Sequence, residues 1–284
     1  MSYLQYWKLA YPPFSSDRES FFTGGSVEEA IARICFLVQS KRKMGVLVGP
    51  ASVGKTLLLK NLRHSIATAA ASNRPRIVYQ SVLGLGQAEL FTNLTRLLGD
   101  GFVSNSKSNG SDPRRSFSLP AWSQLHDTLL AATALNTQIV LLLDDISSAK
   151  EPTLAGIHRM LEVNCPISCV LGVCSDSVEA LPASLQERCQ LRVDLPAWDL
   201  GQTADYFDFA VGKAKGRPGM FEAQAITRIH ELSDGLPQRI NRLSDLALVA
   251  GASKRIPRIT SELADQVFEE FSLLQPQYSE FAHR

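Results

Sequence analysis

The sequence lacks a long apolar run. Nowhere in its 284 residues does an uninterrupted hydrophobic stretch approach the ~20 residues that a membrane-spanning helix needs. The N-terminus, MSYLQYWKLAYPPF, has neither a basic leader nor an apolar core segment, so it does not read as a signal peptide. Charge of one sign is also missing: 29 Lys and Arg against 28 Asp and Glu leave a formal net charge of +1. No global field argues for nucleic acid, and none argues against it. Cysteine is sparse, with five residues at 35, 165, 169, 174 and 189 and no C-x-x-C pair. With apolar neighbours such as Ile167, Val170 and Leu171, they read as reduced, mostly buried thiols of a cytosolic protein. The five histidines are scattered without ligand spacing, which argues against a structural metal site. No internal repeat is present.

What is there is a globular composition, 45% hydrophobic and 20% charged, on a chain long enough for a large α/β domain and a smaller one. Residues 26–40 carry apolar positions at helical spacing, with Ser26 and Glu29 as a capping box. Strands are expected at MGVLV, at 76–80, in QIVLLLDD, at 166–175 and at 190–195, the apolar runs among them suiting strands covered on both faces. Helices are expected after Gly54, in QAELFTNLTRLL and over about 120–135. Residues 99–118, rich in Ser, Asn and Gly, read as an exposed, disordered loop. Alternating strands and helices favour a parallel sheet with right-handed crossovers. From Asp199 onward only helices are expected, at 199–214, 221–233, 237–250 and 260–273, which places a domain boundary near residue 198.

The segment GPASVGKT fits G-x-x-x-x-G-K-[ST] at every fixed position, between a strand and a helix. Gly49 and Gly54 permit backbone angles that aim successive N–H groups at an anion, and the helix after them adds its positive end. Nucleotide contacts are expected along Gly49, Pro50, Ala51, Ser52, Val53, Gly54, Lys55, Thr56 and Leu57. Lys55 would reach the β- and γ-phosphates, and the Thr56 hydroxyl would face Mg²⁺. A plain strand-to-helix turn would explain one glycine but neither Lys55 nor Thr56. A second carboxylate site is needed at the end of another buried strand, and IVLLLDD supplies it. Asp144 would hold Mg²⁺ through water, and Asp145 stands where a general base would orient the attacking water. The bland alternative for the two acids is a helix N-cap.

These residues resemble the AAA+ ATPases related to ExeA of the general secretion pathway, a group also similar to the transposition ATPases TniB and MuB. The resemblance runs from YWKLAYPPF, ESFFTGG and SVEEAIARI through the cradle and VLLLDD to LQERCQLRVDLPAW and SDGLPQRINRLSDLAL, about residues 3 to 270. It implies an α/β fold of the P-loop NTPase, AAA+ type, with a small all-helical lid, ATP and Mg²⁺ as ligands, and ATP hydrolysis coupled to assembly or remodelling of a partner complex. The family's polar group at the tip of the strand beside the acids falls at Ser175 or Cys174, and Ser175 is the better hydrogen-bonding choice. The arginine that reaches a neighbouring subunit's nucleotide falls at Arg188, with Arg192 second, and this implies a homo-oligomer. A surface salt bridge is the bland reading of both.

The chain departs from the family twice. Asp145 stands where Glu is usual; losing a methylene retracts the carboxylate by roughly 1.5 Å, and such misplacement can lower a rate about a hundredfold. The lid's arginine normally follows G-x-P directly, but Gln238 is there and Arg239 comes one place later, turned by about 100°. Both changes imply a slow enzyme or a nucleotide-dependent switch. The N-terminal aromatics Tyr6, Trp7, Phe14, Phe21 and Phe22 could flank the adenine or simply pack onto the sheet. Three functions stay open: a secretion-type ATPase, cytoplasmic and linked to the envelope only through a partner; a DNA-associated switch; and a non-hydrolysing scaffold. Lys41-Arg42-Lys43, Arg114-Arg115 and KRIPR at 254–258 support the second reading, although each also reads as a solvated face.

Overall fold

The structure is a computed structural model that describes residues 2–15, 21–69, 74–102 and 120–274. Most of the expected loop at 99–118, with Arg114 and Arg115, lies outside the described residues. Two compact units are present. One comprises residues 29–51 and 55–195; the other comprises residues 1–28, 52–54 and 196–284.

The first unit is built on β1 (Met44–Gly49), β2 (Arg76–Ser81), β3 (Ile139–Asp144), β4 (Ile167–Cys174) and β5 (Leu191–Asp194), in the order β2-β3-β4-β1-β5. Every pairing is parallel. The apolar runs land where a sheet covered on both faces requires them: all residues of β1 and β3 are buried, and so are all of β4 except Cys174. The crossovers run through α3 (Lys55–Ala69), α4 (Gln87–Phe102), α5 (Ala121–Ala134) and α6 (Glu151–Glu162), with a short α7 (Ala183–Gln186) before β5. The core is one continuous cluster, in which Leu141, Leu143, Cys169 and Leu171 of the inner strands are wholly buried with Leu90 and Leu94 of α4. Burial pushes the Cys169 thiol up to about 12, and all five cysteines are free. The basic run 41–43 is absorbed by the fold: Arg42 lies over the Phe36 ring and donates to the Gln190 carbonyl, and Lys43 Nζ donates to the carbonyls of Leu161 and Val163 at the end of α6.

The second unit holds α1 (Tyr3–Trp7), α8 (Leu200–Lys213), α9 (Ala223–Leu232), α10 (Pro237–Lys254) and α11 (Ser261–Leu274). The helix α2 (Gly25–Gln39) starts in this unit and continues into the other. Ser26 is the second residue of α2, not its cap, and its hydroxyl accepts from Gln202 Nε2 at 3.4 Å. A capping box forms instead at α8, between Asp199 and Gln202. The N-terminal aromatics pack here: Trp7 donates to the Leu248 carbonyl at 2.8 Å, and the Phe14 ring lies 5.2 Å from that of Phe207. Apolar burial with α8 and α10 therefore claims Trp7 and Phe14, with Tyr6 and Phe22 partly buried against the same cluster. Gly235 has φ +64, and a Cβ there would lie 2.2 Å from the Trp198 carbonyl oxygen, so this turn before α10 admits no side chain. Among the described residues no helix is long and apolar enough to cross a membrane.

Candidate functional site

The cradle follows β1 directly. Ser52 and Gly54 take positive φ, +67 and +102, which curls the loop so that it delivers the chain into α3 at Lys55. The 15-residue helix thus begins at the expected phosphate lysine, its free N–H groups and positive end facing the loop. Lys55 Nζ donates to the carbonyls of Gly49 at 2.7 Å and Pro50 at 2.8 Å, so the ammonium is folded back over its own loop. Burial pulls its pKa below the usual lysine value, while Cys174, Asp144, Asp145 and Asp176 pull it back up. Strand order explains this ring of groups. β4 lies between β1 and β3, Gly49 pairs with Cys174, and the C-terminal ends of the three strands converge.

Asp144 closes β3 and is 1% exposed. Its Oδ1 accepts from the Asp145 N–H at 2.9 Å, and its Oδ2 accepts from the Tyr79 hydroxyl at 3.1 Å. Burial and the neighbouring carboxylate push the Tyr79 phenol well above its ordinary value, so it stays a donor. Asp145 sits in the left-handed region, φ 59, and accepts from the Ser81 hydroxyl at 2.5 Å. Both hydroxyls come from β2, and the sequence reading missed them. Their spacing of two on a strand, one face apart from the apolar Val78, was the signal available.

Ser175 lies just past β4, exposed, in a short 3-10 turn. Cys174 is half-buried and is the neighbour that acts electrostatically on Lys55. Arg188 is not brought to its own Lys55. It sits by Lys43 and Met44, at the start of β1, in a cavity that also includes His158 and Glu187, and it pairs with Glu162. With about 3.3 Å per strand residue, the length of β1 separates it from the cradle. Arg192 is exposed on β5 and pairs with Asp194 at 2.9 Å.

Within the helical unit, the Gln238 N–H donates to the Ser52 carbonyl at 3.2 Å. Arg239 donates to Asp234 at 2.6 Å and lines a small cavity with Ser52, Gln238 and Arg242. Arg242, one turn beyond Arg239 on the same face, was not foreseen, although its i, i+3 spacing was readable.

The donor set fits a magnesium-bound triphosphate. A lysine and a helix start would hold the phosphates, the Thr56 hydroxyl stands next in the chain, and a buried carboxylate with fixed orientation would take the metal's water. Residues 38–181 match the family model described as AAA domain. No curated protein matches. Among solved structures the chain is similar to the Aeropyrum pernix ORC2 protein in its ADPNP–ADP complexes, at 14% identity and TM-score 0.65, covering 86% of this chain and 66% of that one. It is also similar to A. pernix ORC1 in complex with DNA, at 14% identity and TM-score 0.65, covering 89% and 67%. The Thermotoga maritima RuvB Holliday junction branch migration motor gives 15% identity and TM-score 0.55, covering 91% and 73%. At these identities the likeness is one of fold, and the chain spans about two thirds of the length of the ORC proteins. The fold is that of an AAA+ P-loop NTPase, and since the family match takes in more than half of the 284 residues, the chain belongs to the AAA domain family.

Proposed function

We propose that the chain binds ATP with Mg²⁺ at the β1–α3 loop and hydrolyses it slowly, using the cycle to assemble or remodel a partner complex. The observation that carries this reading is the meeting of Lys55 with Asp144 and Asp145 at the C-terminal ends of β1 and β3, the two strands that flank β4. In this proposal Gly49 to Leu57 contact the nucleotide, and Thr56 and Asp144 hold the metal, which supplies charge neutralisation at the phosphates. Asp145 orients the water, a polar group at the β4 tip (Ser175) assists it, and Arg239 contacts the phosphates. Arg188, remote from its own cradle, acts on a neighbouring subunit in a homo-oligomer. The N-terminal and lid segments that resemble ExeA support a cytoplasmic, secretion-type role; the resemblance to TniB and MuB supports a DNA-associated one.

Hydrolysis is slow in this reading because the shortened carboxylate is also tied to β2 by Ser81. Mg-ATP binding measured by calorimetry is expected for the parent and lost with Lys55→Ala. Turnover of Asp145→Glu is expected to rise severalfold or more. Absence of Mg-ATP binding by the parent refutes the proposal. Binding with no turnover in either protein leaves a nucleotide-dependent scaffold, which Ser81's hold on Asp145 would suit.

A further inference from the structure

Three segments of the helical unit end together. The stretch after α1 meets the end of α8: the Ala10 N–H donates to the Ala214 carbonyl at 2.9 Å, and the Tyr11 hydroxyl donates to that of Lys213 at 2.9 Å. The stretch after α10 meets α1, since the Tyr6 hydroxyl donates to the Ile256 carbonyl at 2.7 Å. It also meets the loop after α8, where the Ile259 N–H donates to the Met220 carbonyl and the Glu222 N–H to that of Ile259, at 2.8 and 3.0 Å. On these tied segments stand six exposed cations: Lys8, Lys215 and Arg217 on one side, and Lys254, Arg255 and Arg258 on the other. Among the described residues of these stretches the carboxylate is Glu222, half-buried at the start of α9, and Glu262 follows Arg258 by four residues in the first turn of α11.

Helix dipoles account for part of this. Lys8 and Arg255 are the C-caps of α1 and α10, and Lys215 follows α8, positions where a cation meets unpaired carbonyls. But Arg217 and Arg258 lie outside any helix, and none of the six has a carboxylate partner within 4.0 Å among the described residues. Lys8, Lys215 and Arg255 also take positive φ, 57, 58 and 54. Glycine would adopt these angles without strain, yet each position carries a long cation. The result is a set of like charges on tied backbone segments, which a polyanion would complement.

We infer that this end of the helical unit is a docking surface for the phosphate backbone of a DNA duplex. A duplex fits better than a membrane, because among the described residues of the stretches that follow α1, α8 and α10 the exposed large apolar side chain is Tyr11, at 36%, too little for insertion among acyl chains. It fits better than a single strand for the same reason, since unstacked bases need several aromatic platforms. The surface does not depend on the nucleotide site, so its test uses the full chain without ATP or Mg²⁺.

Fluorescence anisotropy of a short labelled duplex, titrated at several salt concentrations, is expected to show binding whose log–log salt slope is about −4 to −5. The exposed triple variant Arg217→Gln/Lys254→Gln/Arg258→Gln is expected to bind about tenfold or more weaker at roughly 100 mM salt, with the slope reduced by about 2 to 3. A triple variant of equal charge change in the other unit, Arg33→Gln/Arg96→Gln/Lys150→Gln, is expected to bind as the parent does. Thermal melting checks folding, and should the triple variant melt early, each single variant is expected to lower the slope by about 1. The inference is overturned if the parent binds no duplex, if both triple variants weaken binding equally, or if neither does. Preference of the parent for phosphatidylserine–phosphatidylcholine vesicles over duplex overturns it as well.

Discussion

Gly172 gives the sharpest test of how Asp144 is held. It lies on β4 one residue past Leu171, which pairs with Leu143 of β3, so it stands beside the strand's terminal acid. A Cβ at this position would fall 2.8 Å from Asp144 Oδ1 and 3.0 Å from Leu59 Cδ1. The leucine methyl can rotate away. The carboxylate cannot without giving up the Tyr79 hydroxyl at 3.1 Å or the Asp145 N–H at 2.9 Å. Relief to an ordinary contact needs a shift of roughly 0.5–1 Å, and overpacking of this kind costs about 1–3 kcal/mol. For Gly172→Ala we therefore expect a melting temperature lower by about 3–10 °C. Mg²⁺-dependent ATP affinity should fall about tenfold, a loss of the order expected when one charged hydrogen bond is broken. Differential scanning fluorimetry and calorimetry with and without Mg²⁺ read the two effects separately. If Gly172→Ala melts with the parent and titrates Mg-ATP identically, the carboxylate is not confined as described.

Tyr79→Phe removes one donor from a buried carboxylate and should destabilise by about 1.5–3 kcal/mol, with a higher Mg²⁺ concentration needed for half-saturation; an unchanged Mg²⁺ titration would count against the role of the hydroxyl. Gly212 lies in the last turn of α8 with nothing within 4 Å of an added Cβ, so Gly212→Ala should raise stability by about 0.5 kcal/mol in urea denaturation, the low end for a helical glycine. Burial raises the Asp245 carboxyl to about 6, above the usual carboxylate range. Such a group penalises the fold above its folded pKa and is neutral in both states below the unfolded one, so stability should fall as pH rises from about 4 to 6. Asp245→Asn should melt higher than the parent at pH 7 and close to it near pH 4.

What the sequence made legible was local. The cradle, the acids of β3 and the apolar strands are each written in a short run whose geometry depends on its own spacing. The partners of those acids are not local, for Tyr79 and Ser81 reach Asp144 and Asp145 across 65 and 64 residues. Only the strand order, which sets β2 against β3, brings them together. The helix α6 escaped notice because Pro152 and Gly156 interrupt its pattern. Pro152 falls in the first turn, where a missing N–H is harmless, and Gly156 lets α4 approach, since a Cβ there would lie 2.8 Å from Gln87 Cγ. The N-terminal aromatics carry no local sign of their partner, because burial against α8 and burial against a sheet ask for the same residues.

The charge balance around Lys55 sets a condition on how a nucleotide enters. Among the described residues that act electrostatically on Lys55 are three carboxylates, Asp144, Asp145 and Asp176, so without a metal the acids outnumber that lysine. A carboxylate roughly 8 Å from a phosphate opposes it by about 0.5 kcal/mol under water-like screening and about 2 kcal/mol at an effective dielectric of 20. Three of them outweigh Lys55 taken by itself, and a divalent cation offsets them. ATP should therefore bind about tenfold or more weaker in EDTA than in Mg²⁺. Asp176→Asn, at an exposed position, should recover part of the metal-free affinity without altering the Mg²⁺-bound one. Equal ATP affinity with and without the metal would mean that the loop amides and the helix start dominate the acids, and that the carboxylates take no part in admitting the nucleotide.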